Sequence, residues 1–570
     1  MHESNDLRLW QRMSVDSNDI LPKLLSIICL VCISLIIGSC SLKQVQQIPP
    51  DAGKWDVVII GAGAGGLSAG ATLTKAGVKT LVLEQHDKPG GYMTAFDRGD
   101  YRFEVSLHMM DGLGPGGMTR DLFERLGIDT RVKPVKLAPL YRLETPESVL
   151  DVPAELDLYI KKLQAEFPHE AEGIAGLFEE FQNIYDDMAD LNNLQHRSRL
   201  ARIYKYSLFP FYYSSLLRNR NATTAEIVDR HISDIRLKAR ILALTTFLGL
   251  PASKLIGPYY AAMLISYYKY GGYHFVGGSQ AVSDALAAVI EENGGELRLN
   301  TLVEKILIED GKAVGVQTAD GEKILADYVI SNADGYNTYL KLVGEEHLKP
   351  GFVKHVKNME PGMSAVVVYI GADMDLASMG ISDDVTEIFY SRLKESVLAS
   401  MPGNAIDTIW EKMLAMDLEE TVMSIQLYSN IDPTCAPEGK SVIILTALAP
   451  YEWQNRWRID DGYDAYSELK EEIGDRMIRM AEDVIPGLSN VIEVKEIGTP
   501  LTMERYTLNH KGSFLGWAHT PEQTMLKRMK QKTPIKNLYL AGAWTFPGGG
   551  QSICLNSGNL TANMILKKIR

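Results

Sequence analysis

Hydrophobic positions along the chain follow two periods, and the places where the period changes mark the elements. Asp56-Val57-Val58-Ile59-Ile60 is a continuous β-branched apolar run, which predicts a strand buried on both faces. Gly61-Ala62-Gly63-Ala64-Gly65-Gly66 follows, then helical spacing from Leu67 to Ala76, a stop at Gly77, and a second strand, Thr80–Leu83, ending at Glu84. The alternation returns later. A helix is predicted over Ala281–Asn293, then strands at Leu297–Leu299, Val303–Ile306, Ala313–Gln317 and Tyr328–Ile330, with turns at Asp310-Gly311 and Asp320-Gly321. It comes a third time as Asn537–Ala543, Pro547-Gly548-Gly549-Gly550 and a helix over Asn556–Leu566. Between these segments, residues 151–275 read mostly as helix. Strands are predicted at Ala365–Ile370, Val422–Leu427 and Ser441–Leu445, and a helix at Tyr463–Ile485 stops at Pro486-Gly487.

The first unit carries chemistry. Gly61 permits a tight turn out of the strand, Gly63 lets backbone approach a pyrophosphate, and Gly66 lets the helix pack on the sheet. The helix N-terminus offers unpaired N–H groups to phosphate oxygens. Glu84 lies 18 residues past Gly66 (84 − 66), where an acidic side chain takes ribose hydroxyls. A bare Gly-x-Gly-x-x-Gly is weak evidence; the strand before it, the helix after it and the acid beyond it make this one a dinucleotide site. The turn Lys88-Pro89-Gly90-Gly91, just past the acid, suits FAD better than NAD.

Ile59 to Gly91 resembles the FAD-binding start of the phytoene desaturase, carotenoid isomerase and retinol saturase group of flavin oxidoreductases. The resemblance implies a discontinuous α/β fold: a Rossmann-like FAD-binding domain from residues 51–150, 275–344 and 498–570, a helical cap at 151–274 that can face a membrane, and a mixed α+β substrate domain at 345–497; residues 1–50 read on their own as an anchor and linker. It implies backbone contact of Val303 with the adenine. It also implies contact of the C-terminal turn with the flavin ring, where Gly542, Gly549 and Gly550 match and Gln551-Ser552 departs from the pattern. In Phe103-Glu104-Val105-Ser106-Leu107-His108 the group's phenylalanine, acid and histidine are kept, with Ser106 where glycine is usual. Glu104 and His108 are the candidates for the catalytic side of the site; the alternative is a capping carboxylate and a hydrogen-bonded structural histidine.

Composition narrows the partners. The 570 residues carry a net charge of −14, which argues against general nucleic-acid binding. Of five cysteines, only Cys435 and Cys554 lie in the body of the chain, so no zinc site or disulfide framework is expected. Cys29, Cys32 and Cys40 belong to an N-terminal segment in which Leu24–Ile37 is mostly apolar and Ile37-Gly38-Ser39-Cys40 follows. Three readings fit: a lipoprotein signal lipidated at Cys40, a single transmembrane anchor, or a cleaved signal peptide. All place the protein at or across a membrane. Tyr204, Phe209, Phe211, Tyr212 and Tyr213, interleaved with Lys205 and Arg218, suit a lipid boundary. Ile241–Tyr270 is a second apolar, tyrosine-ended stretch; for both, an ordinary helical core is the alternative.

The expected activity is that of an FAD-dependent oxidoreductase that saturates, desaturates or isomerises double bonds of a long apolar polyene. His519-Thr520-Pro521-Glu522-Gln523 leans toward the saturase and isomerase branch. A flavin amine oxidase, with Trp544 and Tyr539 as its aromatic cage, and a membrane-tethered protein using FAD only for structure are the alternatives. No second Gly-x-Gly-x-x-Gly serves a nicotinamide cofactor, so the electron partner is left unassigned.

Overall fold

The computed structural model describes residues 54–194, 198, 203–205, 207–401 and 405–569. The apolar run Leu24–Ile37 and Cys40 lie outside the described residues. Among those described, no helix is long and apolar enough to cross a membrane.

Two large sheets organise the chain. In the first, Glu296–Arg298, Thr80–Leu83, Trp55–Ile60 and Lys323–Ser331 are parallel neighbours, Leu538–Leu540 joins the last of them in parallel, and Lys312–Thr318 and Val303–Glu309 extend its edge antiparallel. Parallel strands need both faces covered, which is why Val57–Ile59 and Leu81–Val82 are fully buried. One face packs under the helices Ala64–Lys75, Gln280–Glu292 and Gln551–Ile569. The other covers Val58, Leu81 and Val329 with Tyr339, Trp517 and Trp544.

The second sheet runs Ile492–Gly498, Ser364–Ala372, Ser441–Ala449, Val422–Leu427, Glu387–Ser391, Tyr141–Thr145, Ser148–Val152. The hairpin 141–152 corrects the division at residue 150. Tyr141–Thr145 pairs in parallel with Glu387–Ser391, so this end of the first segment belongs to the second sheet. Its first strand pairs on one side within the hairpin and satisfies its other side on a strand far away in sequence.

Helices Leu156–Glu166, Ala171–Leu194 and Gly257–Tyr270 share a core with Phe389 of the second sheet. Ile241–Tyr270 is thus interior: Leu244 and Tyr260 are fully buried, so this stretch is core and cavity wall and not a membrane face. Its apolar positions fill a helical layer that already has a protein partner on each side. Around residue 210 the surface differs, with Phe211 82% exposed.

Candidate functional site

Four parallel strands end in one row. Leu83, Ile60, Ser331 and Leu540 are in register, and the next residues are tied across by Gly61 N–H to Leu83 O (2.8 Å), Asn332 N–H to Ile60 O (2.9 Å) and Ala541 N–H to Ser331 O (2.9 Å). Segments from three distant parts of the chain therefore turn away together at the carboxyl edge of the sheet, the position where open α/β sheets bind ligands.

Two cavities cross this edge, of about 1360 Å³ and about 450 Å³, and both touch Gln85, Ala333 and Thr507. Gly63, Glu84, Gly90, Gly91, Gly542, Gly549 and Gly550 line the larger; Gly61 and Val303 line the smaller. Gly66 lines neither. A Cβ built there would stand 2.0 Å from Gly61 O, so its place is helix–sheet contact. The larger volume exceeds the ~300–1,000 Å³ of a single small-ligand site, leaving room for a cofactor and a second ligand.

The cradle is shaped for an extended dinucleotide. The helix Ala64–Lys75 opens at Gly63 without a side-chain cap, leaving its first N–H groups free for phosphate oxygens. Gly90 N–H donates to Ala62 O at 2.9 Å, which sets the Gly-Gly turn beside that loop. The Asn332 amide reaches over the cradle, near where a Cβ of Gly63, Gly65 or Gly542 would lie. The sequence reading missed Asn332. A side chain hanging over a loop 270 residues earlier leaves no local signal. Glu84 is buried at the end of its strand; Ala62 N–H (2.7 Å) and His86 N–H (3.0 Å) donate to its carboxylate, and burial raises its pKa.

Glu104 and His108 separate. Glu104 stands behind the wall, outside both cavities. It accepts from Ser279 N–H and Ser279 O–H (2.6 Å each), Leu107 N–H (3.2 Å) and Ser106 N–H (3.4 Å), using both oxygens to brace the start of the helix Gln280–Glu292. His108 lines the larger cavity, its Nδ1 2.6 Å from Glu387 Oε1 and its ring against Phe247. Ser106 faces Gln551 across the same cavity, with Gln551 Nε2 3.4 Å from its hydroxyl. Tyr539 is buried in the sheet core, and only Trp544 of the two cage candidates reaches the wall. Cys554 also lines the cavity, but burial pushes its thiol up to about 12 and keeps it protonated. Among the described residues no cluster of metal-ligating side chains occurs.

Two buried groups give the fold opposing pH responses. Asp334, at the smaller cavity, accepts from Asn337 N–H (2.6 Å) and His510 N–H (2.7 Å), and burial raises its pKa to about 7. Between the unfolded value of 3.8 and about 7 the native state holds the extra proton, so stability falls as pH rises. His274, buried against Tyr428, is lowered by desolvation to about 3. Between about 3 and 6.5 the unfolded state holds the extra proton, so stability rises with pH. Each limb is worth ~1.4 kcal/mol per pH unit per proton. Asp334→Asn should remove this carboxylate's opposition to the histidine limb. Urea midpoints would then climb more steeply from pH 4 to 6.5 than in the native protein; an unchanged slope would refute the assignment.

Comparisons with known proteins agree with this geometry. The flavin containing amine oxidoreductase family matches residues 64–566. The prolycopene isomerase of Arabidopsis thaliana is 28% identical over 559 residues, covering 95% of this chain and 88% of that protein. The human all-trans-retinol 13,14-reductase is 26% identical over 566 residues, covering 92% and 88%. In fold, an oxidoreductase of Methanosarcina mazei superposes with a TM-score of 0.58 at 19% identity, covering 89% of this chain and 99% of that one. The residues around the cradle fit FAD: the glycines leave backbone open at the uncapped helix start, and a second cavity adjoins the first. The chain belongs to the flavin containing amine oxidoreductase family and is an FAD-dependent oxidoreductase.

Proposed function

We propose that this oxidoreductase acts on carbon–carbon double bonds of a long apolar isoprenoid, carotenoid-like or retinoid-like, by saturation, desaturation or cis–trans isomerisation. The observation that carries it is the wall of the larger cavity. Beyond the cradle it is lined by Phe247, Leu248, Met263, Phe389, Val422 and Leu448, a surface for hydrocarbon. The similarity to a prolycopene isomerase and a retinol reductase supports the same substrate class. Bound FAD supplies hydride or electron transfer. The chain's own residues do the rest: Gly61, Gly63, Glu84, Gly90, Gly91, Val303, Gly542, Gly549 and Gly550 hold the nucleotide, and the aromatic and aliphatic wall orients the polyene and excludes water.

The test is anaerobic stopped-flow of the holoenzyme with a panel of polyenes. Bleaching of the flavin reports desaturation, reoxidation of reduced flavin reports saturation, and new isomers without net flavin change report isomerisation. A flavin that responds to amines with hydrogen peroxide, and to no polyene, would replace this reading with amine oxidation.

We infer further that the cap meets a membrane surface. Tyr204, Phe211 and Tyr212 are exposed beside Ile203. The segment is tied by Lys205 Nζ to Asp190 Oδ2 (2.5 Å) on the helix Ala171–Leu194, whose Tyr185, Met188 and Asn192 line the cavity. An apolar substrate would then pass from bilayer to cavity over a short distance. The run ending at Cys40 would supply the anchor, by lipidation or by spanning. Phe211→Ser should lower co-sedimentation of residues 54–570 with anionic vesicles several-fold while flavin content stays constant; unaltered sedimentation argues against the surface. Mass spectrometry of the membrane fraction distinguishes a lipidated Cys40 from an intact residue 1.

A further inference from the structure

The floor of the larger cavity is one face of the second sheet, and its polar groups are gathered in one place. Along Glu387–Ser391 the alternation of a strand puts Glu387 and Phe389 on the same face. On Val422–Leu427 the same face carries Val422, Ser424 and Gln426, with Gln426 opposite Glu387 and Ser424 opposite Phe389. Glu387 is 2% exposed. Its Oε1 lies 2.6 Å from His108 Nδ1 and accepts from Ser424 O–H at 2.7 Å; its Oε2 has no hydrogen-bond partner among the described residues.

Glu104 shows what a purely structural carboxylate looks like in this protein: both oxygens saturated by backbone and hydroxyl donors, away from the cavity. Glu387 differs. It leaves one oxygen bare and spends the other on a histidine that faces the cavity. A carboxylate at Nδ1 holds the proton there, turns the Nε2 lone pair outward, and stabilises the imidazolium when Nε2 takes a proton. His108 Nε2 makes no hydrogen bond to any described residue, and the ring packs tilted against Phe247 at 4.8 Å between centroids.

We propose that His108 is the proton donor and acceptor of this cavity and that Glu387, steadied by Ser424, is its positioning residue. The inference rests on the double-bond reading above. Adding hydrogen across a double bond breaks the π bond and forms two C–H bonds. One carbon would receive a hydride, the two-electron part, from bound reduced flavin; its neighbour receives a proton from the His108 imidazolium, leaving neutral imidazole that takes a proton back from solvent. Polyene is reduced, flavin is oxidised, and charge balances. In the oxidative direction Nε2 takes the proton while the hydride leaves to oxidised flavin. In isomerisation the same nitrogen adds a proton to the polyene, rotation occurs in the resulting cation, and the proton returns, with no net redox change.

The experiment compares native holoenzyme, His108→Ala and Glu387→Gln in single turnovers in D2O, with flavin content measured for each. His108→Ala should lose ~10²–10³-fold in rate, within the span of general acid–base catalysis, and recover in part with added imidazole. Glu387→Gln keeps a hydrogen-bond acceptor but loses the charge, and should lose about tenfold with full flavin. Solvent deuterium should enter, or for the oxidative direction leave, at the reacting carbon in the native protein and more slowly in both variants. Imidazole ¹⁵N shifts should place the native proton on Nδ1 and move in Glu387→Gln. Unchanged rates and label in flavin-replete His108→Ala overturn the proposal. So does a loss in Glu387→Gln that merely follows flavin loss. If His108→Ala does not fold, His108→Gln takes its place on the same criteria. A native flavin unresponsive to every polyene removes the double-bond reading and this one with it; a responsive native enzyme with a normal His108 variant removes only this one.

Discussion

Gly63→Val should give a stable, colourless protein, whereas Gly66→Ala should give an unstable one. The two positions stand three residues apart in the same loop, but different atoms meet a side chain at each. At Gly63 the nearest atom to an added Cβ is Asn332 Nδ2, at 2.8 Å. That is the end of a side chain, which can swing aside, and the space beyond is cavity. A valine would occupy the path of the pyrophosphate while leaving the sheet and helix in place. Flavin content should fall at least tenfold, and the urea midpoint of the apoprotein should stay within ~1 kcal/mol of the native apoprotein, inside the range for a substitution that neither overpacks nor empties a core. At Gly66 an added Cβ would stand 2.0 Å from Gly61 O and 3.2 Å from Gly61 C, both main chain. Relief requires the helix Ala64–Lys75 to move off the strand end, and the helix Gln551–Ile569 is packed just as tightly on the other side: a Cβ at Gly558 would stand 2.0 Å from Gly65 O. A loss of ~3 kcal/mol or more is expected, at the upper end of overpacking penalties. Urea melts of both apoproteins with flavin absorbance decide it. Normal flavin content in Gly63→Val would contradict the phosphate path, and a native-like melt of Gly66→Ala would contradict the close packing.

Arg528→Met should be the most damaging change away from the glycine loops. Arg528 is 2% exposed, and its guanidinium donates to Trp517 O at 2.8 Å and Ala543 O at 2.7 Å, with Leu515 O at 3.5 Å. No carboxylate neutralises it among the described residues, and burial lowers its pKa to about 10, so it is a cation at neutral pH. It staples the chain around residues 515–519 to the turn that carries Ala543, Gly549 and Gly550 into the cavity. His519 completes the joint, stacked on Tyr259 at 4.0 Å between centroids, and Tyr259 O–H donates to Gly549 O at 2.9 Å. Methionine relieves a buried charge but leaves two carbonyls without donors. At ~1–3 kcal/mol for each unsatisfied buried group, a net loss of ~2–4 kcal/mol is expected. Flavin affinity should fall as well, because the turn is no longer fixed. Arg528→Lys should recover little, since a single ammonium cannot span carbonyls on two segments in the guanidinium geometry. Melts in urea and flavin titration of each apoprotein are the measurements; a variant with native stability and affinity would show that the turn holds itself.

The comparison of Glu104 with His108 shows how far residue type alone carries a site assignment. Both sit in one short motif, and both could have faced the cofactor. A strand alternates its side chains, and the loop after Glu104 turns back on it. The carboxylate is therefore drawn inward by four donors while the histidine, four residues on, reaches the cavity. Similarly, two tyrosine-rich stretches of like composition came to opposite ends. Ile241–Tyr270 is buried between the cap and the second sheet, and Tyr204, Phe211 and Tyr212 lie at the surface. Composition measures how much apolar surface a segment has to offer; its neighbours decide whether that surface is covered.

What the sequence determined by itself was local. Strand, glycine loop, helix, strand and acid between Asp56 and Glu84 follow from short-range periodicity and from backbone conformations that only glycine admits, as at Gly61 with φ +89°. The same holds for the strands near 303–331 and the C-terminal turn and helix, although that helix begins at Gln551, five residues before the expected Asn556 (556 − 551). Tertiary structure decided which distant elements meet. The register of Leu83, Ile60, Ser331 and Leu540, the hairpin 141–152 crossing into the second sheet, Asn332 over the cradle, Arg528 under the turn, and Glu387 behind His108 are all long-range pairings. The reason is energetic. A local pattern fixes an element because its cost is settled within a few residues, whereas a buried polar side chain finds its partner only when whole sheets have packed and excluded water from both.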